Sequence, residues 1–233
     1  MGHHVPAVSD RRARLPRMKI SEAVHEILKA NYQPPFLWEA DEPGAEDRAG
    51  YQGELVLAGQ LLVRGDLAMC GLGASEYFTF DDIPDGRHDV YLAYDWHDEL
   101  GAFVTAVALI AGGTTPEALV SASWEDAADD VNDLSEGASA IYSSTPDSWG
   151  IAGALNLTAG EPGYADALAR VGAEFAAQRA AGSRTPLLDV VVNPTNGANA
   201  LVFPTIDHNS NSILVGHDES GTGVGIIWSG FEG

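Results

Sequence analysis

Histidine stands beside aspartate at four places in this chain of 233 residues: His88-Asp89, His97-Asp98, Asp207-His208 and His217-Asp218. An imidazole with a carboxylate can ligate a metal ion or serve as a general base. Neighbours on a strand point to opposite faces, however, so no single pair easily supplies two ligands to one ion. Asp207, Asn209 and Asn211 alternate, and Asp218 follows further on, as in half of a calcium loop. Such a loop needs Gly where this chain has Ser212, and apolar Ile213-Leu214-Val215 fill its interior. The segment therefore reads as a turn between strands. A metal reading would have to work through His97, Asp207, Asn209, Asn211, His217 and Asp218. No HExxH helix and no cysteine cluster supports it, and no cofactor is expected.

Nucleophile chemistry finds less. There is no GxSxG elbow, and Ser143-Ser144 have no adjacent base. Gly71-x-Gly73 and Gly221-x-Gly223-x-Gly225 lack the lysine and the strand–turn–helix setting of a phosphate loop. Cys70, the only cysteine, follows an apolar run and reads as a small buried hydrophobe; it excludes an internal disulfide. An acid–base pair could be drawn from the 34 carboxylates, but spacing singles out none.

Charge is the stronger signal. The net charge is −22, and five of the twelve basic residues (Arg11, Arg12, Arg14, Arg17, Lys19) lie in the first nineteen positions. Beyond them, 33 acids face 7 bases. Such a body repels nucleic acid and anionic lipid and speeds encounter with a cationic partner, although acidity also serves plain solubility. The densest acidic stretch is Trp124 to Glu136, WEDAADDVNDLSE. Its spacing predicts an amphipathic helix, with Trp124, Ala127, Ala128, Val131 and Leu134 facing the body. Glu125, Asp126, Asp129, Asp130 and Asp133 would then form a surface for a basic protein partner. The function expected is non-catalytic capture of that partner, with a toxin-neutralising immunity protein as its concrete form. The alternatives are a metal-dependent hydrolase-like enzyme built on the His/Asp turns, or a structural subunit of a larger assembly.

The elements that must position these residues follow from periodicity. Residues 1–18 read as a tail without order. Ser21 opens a helix with Ala23, Val24, Ile27, Leu28 and Ala30 as its apolar stripe, ended by Asn31-Tyr32 and Pro34-Pro35. Phe36-Leu37-Trp38 would dock it, and residues 39–50 form a linker, so residues 19–50 make a helical arm. Leu55-Val56-Leu57 and Leu61-Leu62-Val63 read as two strands of a hairpin turning at Ala58-Gly59-Gln60. Tyr77–Phe80 is a short strand, and Ile83–Gly86 a turn. Val90, Leu92, Tyr94 and Trp96 alternate with Asp89, Tyr91, Ala93 and Asp95, and Phe103–Ile110 returns as a central strand. Thr115-Pro116-Glu117 starts a local element, Tyr164–Ala181 is a second helix, and four further strands lie between Leu187 and Trp228. Together these predict an α+β fold for residues 51–233: a mostly antiparallel β-sheet core, two or three packing helices and the N-terminal helical arm. No apolar run reaches the length of a membrane span and no signal core opens the chain, which makes the cytoplasm the expected location.

Several spaced features also resemble a known family. They are Gly53-x-Leu55 with Gly59 and Asp66, Pro84-x-Gly86-x-x-x-Val90, the strand through Ala106, and Trp124-Glu125-x-Ala127. Val202-Phe203 and Gly216-x-Asp218-x-x-Gly221 complete the set. The pattern resembles an uncharacterised bacterial family, domain of unknown function 4241, over about residues 50–233. That family usually carries a Gly-Asp-Gly turn before its last strands, where this chain has Asp207-His208-Asn209-Ser210-Asn211. The resemblance implies a bacterial β-rich α+β domain and brings no activity.

Overall fold

The structure is a computed structural model and describes residues 18–31, 54–71, 78–80, 82–97, 101–127, 138–144, 164–193, 195–205 and 210–231. Two antiparallel sheets form its centre. The first has the order β1-β4-β5-β11-β10-β6, and the second β3-β2-β7-β9-β8. The strands of the first are β1 Leu55–Val63, β4 Gly86–His97, β5 Gly101–Ile110, β6 Ser123–Asp126, β10 Ser210–His217 and β11 Gly223–Phe231. Those of the second are β2 Asp66–Gly71, β3 Phe78–Phe80, β7 Ser139–Ser144, β8 Leu188–Asn193 and β9 Ala198–Phe203. Helices α1 (Ile20–Asn31), α2 (Pro116–Ser121) and α3 (Tyr164–Ala180) cover the outer faces. The expected α+β class with an antiparallel core is what the chain adopts.

Alternation along the strands produces four layers. Between the sheets, Leu61, Val90, Leu92, Leu109, Ile226 and Trp228 of the first meet Leu67, Met69, Ile141, Leu201 and Phe203 of the second. The opposite face of the first sheet presents small residues, Ala93, Ala106 and Ala108, on which α1 lays Ala23, Val24, Ile27 and Leu28. The outer face of the second sheet presents Ala140, Ala200 and Val202 to Val171 and Phe175 of α3. Small residues under the helices and large ones between the sheets let each layer approach closely, which is how interiors reach crystalline density. Ala23, Val24, Ile27 and Leu28 of the stripe expected for the first helix are thus buried on the body, whereas Ala30 is exposed.

Three local expectations change. Ser21 lies inside α1 rather than capping it: Glu22 instead accepts the Lys19 N–H at 2.9 Å, half of a capping box. Residues 55–63 are one strand, not a hairpin, and Ala58 is a bulge opposite β4. A bulge reverses the facing of everything after it. Leu55 consequently packs under α1, while Leu61 and Val63, of the same parity, enter the inter-sheet core. The two sheets are joined instead at Arg64-Gly65, where Gly65 has φ 77 and its N–H donates to Asp85 Oδ1 at 2.7 Å. Finally, β7 has no strong sequence signal, yet it pairs with both β2 and β9 in the middle of the second sheet.

An edge lock completes the frame. Asn199 of β9 accepts the Leu62 N–H and donates to the Gln60 carbonyl, at 3.0 and 2.9 Å. The amide thereby occupies the free edge of β1, a position that would otherwise invite another strand.

Candidate functional site

The acidic segment is held differently from expectation. Its first residues form β6, an edge strand, and not the start of a helix. Helix α2 is opened by Thr115, whose hydroxyl accepts the Ala118 N–H, and it stops at Ala122, which is extended with ψ 154. β10 then offers a pairing edge: Val215 lies opposite Glu125, Gly216 opposite Trp124, and the Ala127 N–H donates to Ile213 O at 2.7 Å. Trp124 decides the outcome. Its indole N–H donates to Leu119 O at 3.0 Å, and its ring lies on Gly216, where a Cβ would stand 2.7 Å from it. Tertiary pairing overrides helical spacing here, as it does for short segments generally. Trp124 is therefore a half-buried anchor, and Glu125 and Asp126 are exposed. Asp129, Asp130 and Asp133 lie outside the described residues.

Beside β6 lies an open pocket of about 250 Å³. Phe80, Ile83 and Val215 line it with apolar surface, and Asp82, Glu125, Asp126 and His217 supply polar groups; among the described residues no Lys or Arg lines it. The imidazole Nε2 of His217 is 3.1 Å from Asp82 Oδ2. The pocket thus joins an edge of each sheet, β6 and β3, through the crossover that carries the chain from β3 to β4.

That crossover is held at three points. The Asp82 carbonyl accepts the Gly223 N–H at 3.2 Å, and a Cβ on Gly223 would come within 2.5 Å of the same oxygen. Ile83 is buried in the core. His88, only 2% exposed, bonds Pro84 O through Nε2 at 2.7 Å and accepts the Gly112 N–H at Nδ1 at 2.9 Å. Since an amide N–H can only donate, Nδ1 is bare and Nε2 carries the proton: His88 is neutral. Burial pushes its pKa below the usual histidine value, against the opposing pull of Pro84 O and of the Asp89 and Asp85 charges. His88 is thus a structural pin of the crossover.

Of the metal candidates, only His217 and Asp218 have described side chains, and these two are engaged separately. His217 enters the pocket, whereas Asp218 turns away: its Oδ1 accepts the Ser220 and Thr222 N–H groups and the Ser220 hydroxyl, at 2.8, 3.0 and 2.6 Å. Those bonds, the Ser220 hydroxyl first, hold its pKa below the ordinary carboxylate range and close the β10–β11 turn. Asn211 sits on β10 six residues before His217, about 20 Å away along a strand. His97 ends β4 at the opposite end of the first sheet, because Asp89 at the other end of β4 pairs with Ile110, which pairs with Gly225. Side chains of His97 and Asn211, and all of Asp207 and Asn209, lie outside the described residues. Asn211, Ser212 and His217 lie within the continuous strand Ser210–His217. Among the described residues, no three His, Cys, Asp or Glu side chains gather as a metal site.

Asp82 and Thr79 are polar pocket residues that sequence reasoning missed, along with the apolar lining. Asp82 meets His217 across 135 positions of chain, and no local pattern marks it. Its one signal is an acid at the exit of a short strand, ahead of Ile83-Pro84. Among the described residues no helix is long and apolar enough to cross a membrane. No family model, no curated protein and no solved structure matches the chain.

Proposed function

We propose that this protein is a non-catalytic acidic binding protein that engages a basic protein partner at the pocket between β3 and β6. The observation that carries this reading is the convergence of Glu125 and Asp126 with Asp82 on a pocket that no described Lys or Arg lines. An apolar floor beneath carboxylates suits a Lys or Arg side chain, whose stem is aliphatic and whose head is charged. The surrounding charge of −22 would steer such a partner before contact. Neutralisation of a cationic toxin is the concrete form of this function.

Pull-down with mass spectrometry would identify the partner, and stopped-flow association would test the site. Reversing both charges, Glu125→Lys with Asp126→Lys, is expected to slow association at least about tenfold at low salt, with the difference shrinking as salt rises. An unchanged association rate would overturn the assignment of the site. Association that loses speed only on reversal of Asp129 and Asp130 would move it along the same acidic segment.

A second reading has one observation in its favour, the His217–Asp82 contact, which is the geometry of a general base and its orienting carboxylate. A hydrolytic activity lost on His217→Gln, with partner binding unaffected, would establish it instead.

A further inference from the structure

Two stretches of chain deliver the walls of the pocket, and His88 stands between them. The crossover 82–86 carries Asp82, and the turn after β5, residues 111–114, leads through α2 to β6 and Glu125. His88 bonds both stretches: Nε2–H donates to Pro84 O at 2.7 Å, and Nδ1 accepts the Gly112 N–H at 2.9 Å. Protonation acts on the two bonds in opposite senses. A proton on Nδ1 leaves two N–H groups facing each other at Gly112, whereas the bond to Pro84 O becomes charge-assisted and tightens. We propose that His88 is an acid-operated latch: neutral, it ties the 111–114 turn to the crossover, and protonated, it keeps the crossover and lets go of the turn.

The turn is placed to respond. On its inner side Gly112 packs so closely that a Cβ would stand 2.5 Å from Arg87 O, which leaves no slack for an added proton. On its outer side Gly113, with φ 88, borders open space, since a Cβ there would meet nothing within 4 Å. The Ala111 N–H donates to Val224 O at 3.0 Å, so the end of β5 stays on β11 while the tip of the turn moves. The crossover has ties that a proton on His88 does not touch: the Gly65 N–H to Asp85 Oδ1 at 2.7 Å, the Gly223 N–H to Asp82 O at 3.2 Å, and buried Ile83. The charges acting on the ring are Asp89 and Asp85, and both favour its protonation, against the burial that opposes it. Asp89 accepts from Gln60 Nε2 at 2.8 Å, and Asp85 is taken by Gly65 and Arg64. β1 places Leu61 opposite His88, the turn reaches it with the backbone of Gly112, and Arg87 beside it on β4 belongs to the other face. That acid should weaken capture of a basic partner rests on the function proposed above; the latch itself does not, and its test uses no partner.

The test is amide hydrogen exchange of the full chain, followed by NMR from pH 7.5 to 5.0 and expressed as protection relative to the intrinsic rate at each pH. Below about pH 6.5 the Gly112 N–H is expected to lose protection by up to about tenfold per pH unit, the limit for a release coupled to one proton. The loss should be local: in low urea, exchange at Gly112 stays constant while exchange at the core residues Leu92 and Leu109 accelerates. The Gly223 N–H, bonded to Asp82 O, should keep its protection where Gly112 loses it. His88→Gln cannot titrate and should abolish the pH dependence at Gly112; the wild-type measurements decide the matter by themselves where that variant does not fold. Wild-type protection at Gly112 that is independent of pH, that falls with urea in step with Leu92 and Leu109, or that is lost together with Gly223 would each overturn the proposal. So would a pH dependence at Gly112 that persists in His88→Gln.

Discussion

Lowering the pH through the range of histidine titration should destabilise this protein through His88. The neutral imidazole serves two bonds, to Pro84 O at 2.7 Å and from the Gly112 N–H at 2.9 Å, and protonation at Nδ1 would turn an acceptor toward a donor. Burial lowers the folded-state pKa. The unfolded chain, with an ordinary His pKa of about 6.5, therefore binds the proton first. The stability contributed by this group is complete above about pH 6.5 and is lost as pH falls from there through the lowered folded pKa. One proton sets a ceiling of about 1.4 kcal/mol per pH unit, which for a chain of this size corresponds to roughly 3–5 °C in Tm per unit. Other histidines and the carboxylates add their own pH dependence, so the quantity to measure is a difference. His88→Gln cannot titrate; it retains a donor toward Pro84 O and is expected to cost about 1–2 kcal/mol at pH 7.5 for the bond lost and the changed packing. Thermal unfolding of both proteins between pH 7.5 and 5.0 should give curves that converge as pH falls. Parallel curves would refute the reasoning, because they would mean that His88 titrates alike in the folded and unfolded chains.

Three further outcomes follow from named contacts. Gly216→Ala should destabilise by about 1–3 kcal/mol in urea titration, since its Cβ would stand 2.7 Å from the Trp124 ring and force it off its seat. In that variant the Trp124 indole N–H, which donates to Leu119 O, should also lose protection in hydrogen exchange. Asn199→Ala should cost about 2–3 kcal/mol by leaving the Leu62 N–H and Gln60 carbonyl without their partner, and should raise the aggregation rate by freeing the β1 edge; a soluble variant of wild-type stability would contradict the edge lock. Glu125→Lys should change Tm by no more than about 2 °C, the residue being exposed, so any loss of partner binding in that variant reports recognition and not unfolding.

Much of the fold was legible along the chain because its cause is local. The alternation from Asp89 to Trp96 and the apolar run from Phe103 to Ile110 became the adjacent central strands β4 and β5, and the 164–181 periodicity became α3. Two of the misread places share one cause: a local pattern yielded to a distant partner. The pause at Ala58-Gly59-Gln60 looked like a turn, but continuous pairing with β4 made it a bulge. Trp124 to Ala127 had helical spacing, but β10 supplied hydrogen bonds and Gly216 a seat for the indole. β7 was obscure because Ser139, Ala140 and Ser143 carry little periodic signal, while burial in the centre of a sheet rewards them.

The sequence alone determined the charge, the antiparallel α+β class and the presence of acids at 125 and 126. Composition and two- or 3.6-residue periods are properties of the chain itself, and they survive any arrangement of its elements. Only the tertiary structure decided that the strands split into two sheets under helices on both outer faces, and that Asp82 reaches His217 at the pocket. Only it separated His97 from His217 and committed Asp218 to a turn. Those outcomes depend on which strands become neighbours, and that choice is made by burial across the whole sandwich, where no short stretch of sequence carries the information.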